Sequence, residues 1–350
     1  MGSKTPAALG YHMPAEWEPH DATWLSWPRR EGISFPDSFD RVMPVLRDMV
    51  AVLTESEPVC INVGDGVQEA EVRAILEDAC HAGGTRRRID LDRITFYRIP
   101  TNEPWCRDHG PIFLTRAIDP KLAVIDWDYN AWGNKYPPFD LDEVVPTRVA
   151  DFLKTPVFYP GMILEGGSID VNGKGALLTS ESCLLNENRN PQLNREEIEQ
   201  RLRDFLGVHE ILWLGPGIAG DDTDGHIDDL ARFVSEKMVV TVVEENRNDE
   251  NFEPLRENLA RLREMKLEVV TLPMPKRMER EGLRLPASYA NFYIANTRVL
   301  VPTFADPADE IALSILRDLF PNRRVIGIDC RELIWGLGTF HCLTQQQPTV

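Results

Sequence analysis

Five chemically capable side chains are spread over four loops of the sequence: Asp108, Glu165, His226, Asp228 and Cys342. A cysteine is intrinsically nucleophilic, but it needs a lowered pKa or a neighbouring base to be largely thiolate at neutral pH. We expect His226 to transfer the proton and Glu165 to orient the imidazole ring. The set therefore predicts nucleophilic catalysis by Cys342.

The two remaining carboxylates, Asp108 and Asp228, are suited to hold a planar cation. A guanidinium presents its N–H donors in a rigid fork that pairs with carboxylates. On an extended segment, His226 and Asp228 would face the same side because they are two positions apart. Carboxylates raise the pKa of a nearby thiol, and a bound cation reverses that effect. The residues therefore predict a thiol enzyme that acts on a cationic substrate such as a guanidinium group.

Each of these residues also has an ordinary structural explanation. Cys342 lies near the end of the sequence and could be a buried core residue, and His341 beside it could lie on the surface. Asp108 and Glu165 belong to residue types that often form turns or cap helices. Taken singly, none of them identifies a catalytic site.

The acidic loop GDDTDGHIDD (220–229) could be a solvated turn or could bind a cation. An EF-hand alignment with Gly225 at the sixth place puts Gly220 and Ala231 where acidic residues are required, which excludes that motif. A carboxylate–histidine metal site stays open, although the sequence places no second histidine close to His226.

Short apolar runs that could position these loops recur about every 57 residues, each followed by a polar loop and a second apolar run. The first runs, read as buried strands, are TFYRIP (95–100), PVFYP (156–160), EILWLG (210–215), EVVTLP (268–273) and RVIGID (324–329). The second runs are PIFLT (111–115), GALLTSE (175–181), ARFVS (231–235), NFYIA (291–295) and FHCLT (340–344). AVIDW (123–127) and MVVTVV (238–243) are read as third strands.

Amphipathic helix patterns precede most of the first strands. The pattern at 196–206 has Asn194 as its predicted N-cap and Glu197 three residues later. The other predicted helices lie at 67–80, 252–265 and 308–320, with one at 38–53 that Pro44 interrupts.

Repeated helix–strand–loop–strand units predict a closed ring, and thus one domain over residues 1–350 whose loops meet near the axis. The alternative is an ordinary α/β domain with evenly spaced elements. In the ring, the loop PASYANFY (286–293) contributes no strong nucleophile or acid.

Composition limits the classes of partner. A net charge of −18 argues against nucleic acid and favours cationic substrates, although an acidic surface also simply aids solubility. No apolar stretch is long enough for a membrane span, and the start lacks the apolar segment of a signal peptide. The six cysteines are scattered without a C-x-x-C pair, which argues against disulfides or a thiolate zinc site. A cytoplasmic protein is expected.

Five ordered motifs resemble those of the agmatine deiminase and Porphyromonas-type peptidyl-arginine deiminase family. They are MPAEWEPHDATWLSWP (13–28), W-x-R-D-x-G-P (105–111), EGGSIDVNGKG (165–175), DTDGHIDD (222–229) and HCLTQQQP (341–348). The resemblance covers nearly the whole chain. It implies a five-bladed α/β-propeller, the pentein fold of guanidine-modifying enzymes.

The resemblance also implies roles for individual residues. Cys342 matches the nucleophile that forms an amidino adduct, His226 the general acid/base with Glu165 as its partner, and Asp108 with Asp228 the guanidinium-binding pair. Trp105 is expected to line the substrate channel, and Asp222 is a candidate for the far end of the substrate. No metal or organic cofactor is expected, and pairing into a homodimer is suggested.

One stretch departs from the family pattern. Agmatine deiminases usually carry G-G-G-N before the H-C pair, where this chain has Gly336-Leu337-Gly338-Thr339-Phe340. The conformation of that loop is therefore expected to differ.

Agmatine, hydrolysed to N-carbamoylputrescine on the way to putrescine, is the expected substrate, and the acidic run 221–224 could receive its amine. Peptidyl-arginine or free arginine, each giving citrulline, is the alternative within the family. An amidinotransferase would resolve the same adduct with an amine, and an inactive propeller would serve as a binding module.

Overall fold

The computed structural model describes residues 5–78, 80–82 and 85–350, with only the backbone described at 80–82 and 85–87. Among the described residues, five sheets have three or four strands each. In every one of them, an inner strand runs antiparallel to the middle strand, which is parallel to the next strand outward. The repeated pattern confirms the predicted α/β-propeller.

The strands are, in chain order, β1 (His20–Ser26), β2 (Val59–Val63), β3 (Cys80–Ala82), β4 (Thr85–Arg87), β5 (Ile94–Arg98), β6 (Ile112–Thr115), β7 (Leu122–Ile125), β8 (Val157–Phe158), β9 (Asp170–Val171), β10 (Ala176–Ser180), β11 (Glu210–Leu214), β12 (Ala231–Phe233), β13 (Met238–Val243), β14 (Glu268–Pro273), β15 (Glu279–Arg280), β16 (Leu283–Arg284), β17 (Tyr293–Ile294), β18 (Arg298–Thr303), β19 (Arg324–Asp329) and β20 (Thr344–Pro348).

The helices are α1 (Phe39–Thr54), α2 (Gly66–Glu77), α3 (Cys106–His109), α4 (Ala131–Asn134), α5 (Val145–Leu153), α6 (Glu181–Leu184), α7 (Arg195–Leu206), α8 (Phe252–Glu264), α9 (Ala308–Leu319) and α10 (Phe340–Leu343).

Helices connect the parallel strands because such strands cannot be joined by a tight turn. Thus α1 joins β1 to β2, α5 joins β7 to β8, α7 joins β10 to β11, α8 joins β13 to β14, and α9 joins β18 to β19. The predicted capping box at the start of α7 is present, with Asn194 and Glu197 in reciprocal hydrogen bonds. The middle strands are almost wholly buried, as expected for strands covered on both faces.

The two ends of the described chain meet in one sheet. The order of this sheet is β20-β1-β2-β5, and β20 pairs antiparallel with β1 from His20–Pro348 to Leu25–Thr344. The last strand thereby supplies the inner strand of the first sheet. This pairing closes the ring of sheets.

Short helical turns or loops precede the inner strands and contact one another around the axis. The turn α3 contacts both α10 and the 3-10 turn Gly166–Ser168, which in turn contacts the 3-10 turn Ile227–Asp229. Asn291, just before β17, bonds to Asp229 on one side and to Thr339 on the other. The loops predicted to converge therefore do converge.

Two local predictions are wrong. The run FHCLT (340–344) was expected to be a strand, but Phe340–Leu343 forms the helical turn α10 and the strand begins at Thr344. Helix α1 is not interrupted, because it continues through Pro44 to Thr54. Both differences are local, and neither changes the order of the elements.

The described cysteines Cys60, Cys106, Cys183, Cys330 and Cys342 are free and buried, and the side chain of Cys80 lies outside the described residues. No helix in the described part of the chain is both long and apolar enough to cross a bilayer.

Candidate active site

The predicted catalytic residues lie in the turns just before the inner strands. Asp108 lies on α3 before β6, Glu165 precedes β9, His226 precedes β12, and Cys342 lies on α10 before β20. Asp228 belongs to the 3-10 turn Ile227–Asp229, so it does not share an extended segment with His226 as predicted. All five side chains are buried, and the contacts below bring them together at one site.

A cavity of about 110 Å³ leads to this site. Cys342, Asp108 and Trp105 lie in its wall. Further lining residues are Ile33, Ser34, Glu103, Trp132, Tyr136, Asp222, Thr223, Trp335, Gly336, Leu337 and Gly338. The charged residues in this described lining are all acidic, so the cavity suits a cation with an apolar middle.

Asp108 is held by two hydrogen bonds. The indole Nε1 of Trp132 donates to Oδ2 at 3.0 Å, and the backbone N–H of Gly167 donates to Oδ1 at 3.0 Å. Burial raises the pKa of Asp108 to about 6, with repulsion from Asp228 and Glu165 adding to it and the cationic His226 opposing it. Asp108 is therefore charged at neutral pH but close to its titration range.

Gly167 explains the glycine pair in the E-G-G-S motif. A Cβ at this position would lie 2.6 Å from Nδ1 of His226, 2.7 Å from Oδ1 of Asp108 and 3.1 Å from Oδ2 of Asp228. Any side chain at position 167 would therefore collide with the side chains of His226, Asp108 and Asp228, so only glycine fits there.

His226 lies between two carboxylates. Its Nδ1 is 3.6 Å from Oδ1 of Asp108, and its Nε2 is 3.8 Å from Oε2 of Glu165. Burial alone would lower the pKa of His226, but Asp108, Cys183 and Glu165 outweigh it and raise the pKa well above the ordinary value. The ring is therefore a cation in the free site, ready to donate a proton.

Glu165 is fixed from behind by Arg189, whose Nε lies 2.6 Å from Oε1. Burial would raise the pKa of Glu165, but Arg189 and His226 lower it overall, so the carboxylate is charged. The other oxygen, Oε2, has no hydrogen-bond partner among the described residues, and neither have the two ring nitrogens of His226. These buried polar atoms are available to a substrate or to water.

Glu165, Cys183 and His226 also form a set of potential metal ligands, whose donor atoms lie within 4.8 Å of one another. The Arg189 guanidinium beside Glu165 already supplies a positive charge there and would repel a cation. This set differs from the metal site that the sequence left open in the loop 220–229, since it shares only His226 with that loop.

Asp228 is oriented by a buried histidine. Nδ1 of His341 lies 2.7 Å from Oδ2 of Asp228, and Nε2 of the same ring lies 2.9 Å from Oε2 of Glu16. The other oxygen of Asp228, Oδ1, has no partner among the described residues and stays free for a ligand. His341 is thus a buried positioning residue and not a surface histidine.

The Cys342 thiol contacts one carboxylate acceptor and one amide donor. Sγ lies 3.7 Å from Oδ2 of Asp228, and Nδ2 of Asn291 donates to Sγ at 3.1 Å. Burial and the carboxylates of Asp228, Asp229 and Asp108 raise the pKa of the thiol well above its ordinary value, while Asn291 lowers it. In the free site the sulfur is a thiol.

The acidic run 221–224 divides into different roles. Asp222 lines the cavity, where it accepts a hydrogen bond from Tyr136. Asp221 is tied to Thr223 and to the backbone of His226. Asp224 is paired with Arg189 and Lys135. Of the three, only Asp222 lines the cavity, and its role in substrate binding stays a prediction.

Sequence reasoning missed three residues that contact the site. Asn291 was overlooked because its loop has no acid or nucleophile, yet it lies at the position that carries a functional residue in each other unit. Glu16 lies within the motif at 13–28, which was used only for the resemblance. Trp132 had no sequence signal.

Comparisons with known proteins agree with the fold. Residues 12–348 match the family model described as Porphyromonas-type peptidyl-arginine deiminase. The agmatine deiminase of Ectopseudomonas mendocina is 35% identical over 379 residues, covering 98% of this chain and 97% of that protein. Among solved structures, the agmatine deiminase of Enterococcus faecalis superimposes with a TM-score of 0.89 at 32% identity, covering 99% and 98% of the two chains. A C. jejuni agmatine deiminase with substrate bound gives 0.88 at 32%, covering 97% and 96%.

Proposed function

The chain belongs to the Porphyromonas-type peptidyl-arginine deiminase family, and we propose that it hydrolyses agmatine to N-carbamoylputrescine and ammonia. One observation carries the proposal: the Cys342 thiol lies in the cavity wall with Asp108 and 3.7 Å from Oδ2 of Asp228, and both carboxylates are fixed by other side chains. A carboxylate pair beside a nucleophile suits a guanidinium, whose carbon is already electrophilic.

The first half of the reaction forms a covalent adduct. The guanidinium nitrogens bind to Asp108 and to the free Oδ1 of Asp228. This cation lowers the pKa of the Cys342 thiol, which releases its proton to water in the cavity because His226 is already protonated. The thiolate then attacks the guanidinium carbon, and the His226 imidazolium protonates the departing ammonia. The product of this half is a positively charged amidino adduct on Cys342.

The second half consumes water. Having given up its proton, neutral His226 takes one from a water molecule, which attacks the adduct carbon. Collapse of this intermediate breaks the C–S bond, its hydroxyl proton passes to the leaving sulfur and restores the thiol, and the ureido product is released. Glu165 stabilises the imidazolium that forms again. No step of this scheme requires a metal or an organic cofactor.

The far end of the cavity favours agmatine over the two arginine substrates. Free arginine would bring an α-carboxylate towards Glu103 and Asp222, and no described lining residue offers it a positive charge. A peptide would need an open cleft, whereas this cavity is narrow and walled by Trp105, Trp132 and Trp335. An amine or ammonium end meets acidic and aromatic groups instead, which suit a cation.

A ureido assay on agmatine, free arginine and a blocked arginyl peptide tests the substrate. Agmatine should be turned over much faster than the other two. Turnover of the peptide alone would overturn the choice. Cys342→Ala should abolish turnover while the variant still binds agmatine in calorimetry, and retained turnover would refute the covalent mechanism.

Two further predictions belong to the same proposal. The described cysteines are free, which fits a reducing compartment and a cytoplasmic enzyme. The homodimer suggested by the resemblance and the absence of a nucleic-acid partner also stay predictions.

A further inference from the structure

Asn291 lies in the loop PASYANFY (286–293), the one of the five converging loops in which the sequence shows no strong nucleophile or acid. It lies just before β17, as Cys342 lies just before β20 and Asp108 before β6. The side chain is 1% exposed. Its amide contacts the reacting sulfur directly, because Nδ2 donates to Sγ of Cys342 at 3.1 Å.

The orientation of the Asn291 amide is fixed by its other partners. Oδ1 accepts from the hydroxyl of Thr339 at 2.7 Å and from the backbone N–H of His341 at 3.2 Å. Nδ2 donates to Oδ1 of Asp229 at 3.1 Å as well as to the sulfur. A backbone N–H can only donate, so the oxygen must face His341. Nδ2 is then the amide atom nearer to Sγ of Cys342, at 3.1 Å against 3.5 Å for Oδ1.

The electrostatic surroundings explain why such a donor is needed. The thiol faces Asp228 at 3.7 Å, and Asp229 and Asp108 also act on it. His341 lies in the same turn α10 as Cys342, but its ring is engaged with Asp228 and Glu16. Among the described side chains, Asn291 is the one that donates a hydrogen bond to the sulfur. A donor to a charged acceptor stabilises it more strongly than a donor to a neutral one.

We propose that Asn291 is a catalytic residue that stabilises the Cys342 thiolate through its amide N–H, and that Thr339 is the positioning residue that holds this amide in place. The inference rests on the proposed use of Cys342 as nucleophile. It gives a function to Thr339, which stands where the related agmatine deiminases usually carry asparagine. The hydroxyl of Thr339 makes the contact that fixes the amide.

The test measures the thiolate directly, without substrate. Purified full-length protein is treated with iodoacetamide near neutral pH, and the alkylation rate of Cys342 is followed by peptide mass spectrometry. Asn291→Ala should lower that rate by about tenfold or more, the effect of losing a hydrogen bond to a charged group. Asn291→Asp should lower it further, because it replaces the donor with another carboxylate.

Two substitutions at Thr339, one that removes the hydroxyl and one that keeps it, test the same inference if the Asn291 variants fold poorly. Thr339→Val keeps the shape but loses the hydroxyl, and it should slow alkylation several-fold. Thr339→Ser keeps the hydroxyl and should alkylate at the wild-type rate. Melting temperatures show that the compared proteins are folded.

The outcomes separate the alternatives. Wild-type alkylation rates in folded Asn291→Ala, or in Thr339→Val when Asn291→Ala does not fold, would overturn the inference and leave a structural role only. If the wild-type protein failed to hydrolyse agmatine but the alkylation rates fell as expected, the proposed substrate would be wrong while the role of Asn291 would stand.

Discussion

Nδ1 of His341 lies 2.7 Å from Oδ2 of Asp228, inside a region where both side chains are almost fully buried. The opposite nitrogen of the ring contacts Glu16, which also accepts from Arg232 at 2.8 Å and from the backbone of Ile294 at 2.8 Å. Glu16 thus ties together turns from different sheets. The position of Asp228, and with it the substrate cation, depends on a residue near the start of the chain.

Glu16→Gln should therefore weaken both the fold and substrate binding. Removing one partner from a buried charge network leaves uncompensated charge on Arg232 and Arg107. We expect the melting temperature to fall by on the order of 5 °C and the KM for agmatine to rise. Calorimetry and steady-state kinetics measure the two effects.

The control for that change is Glu69→Gln, which removes an exposed ion pair with Arg73 on α2. Exposed pairs contribute little, so its melting temperature should shift by less than about 1 °C. Equal shifts in the two variants would contradict the role given to Glu16.

The pH dependence should show an acid limb set by Asp108. Its pKa is raised by burial to about 6, so the carboxylate gains a proton as the pH falls through that value. The guanidinium then loses a charged partner, and kcat/KM for agmatine should fall below pH about 6. An acid limb near the ordinary aspartate pKa of about 4 would contradict this assignment. The measurement is a kcat/KM profile, with Asp108→Asn expected to abolish the limb.

Asp222→Asn should raise the KM only for a substrate that carries an amine at the end opposite its guanidinium group. If Asp222 receives the amine of agmatine, its neutral replacement should raise the KM for agmatine by about tenfold or more. Butylguanidine lacks that amine, so its kinetics should be unchanged by the same substitution. An equal loss on both substrates would instead show that Asp222 acts through Tyr136 or Lys135, which it also contacts.

At Leu337, the departure from the family's G-G-G-N pattern strains the backbone. Its backbone has φ +69°, a left-handed conformation that suits the glycine of the usual pattern. Leu337→Gly should leave the melting temperature close to wild type, because relief of strain offsets the added chain freedom. Leu337→Val should lower the melting temperature, since a β-branched residue tolerates this conformation poorly. A higher melting temperature for the Val variant than for the Gly variant would refute the argument.

Much of the fold could be predicted because its signals are local and repeated. The outer strands and their helices follow from apolar runs and capping residues such as Asn194 and Glu197. The helical turn at Phe340–Leu343 could not be predicted, because a four-residue apolar segment has the same pattern in a helical turn and in a strand.

The site was predictable where a residue type itself implies chemistry. Cys342, His226 and the carboxylates could be selected because few other residue types act as nucleophile, base or cation holder. Asn291, His341 and Glu16 act through contacts across more than one sheet. Those contacts depend on how the ring closes, and no pattern within one loop encodes them.

The pairing of β20 with β1 also fixes when the protein can become active. During synthesis, the four sheets that do not contain β20 can form before this strand leaves the ribosome, but the first sheet has to wait for it. A chain that stops before Thr344 lacks both the closing strand and the support for its nucleophile. Turnover of agmatine therefore has to await synthesis of β20, and chains without this strand carry an unpaired edge on β1 that is open to aggregation.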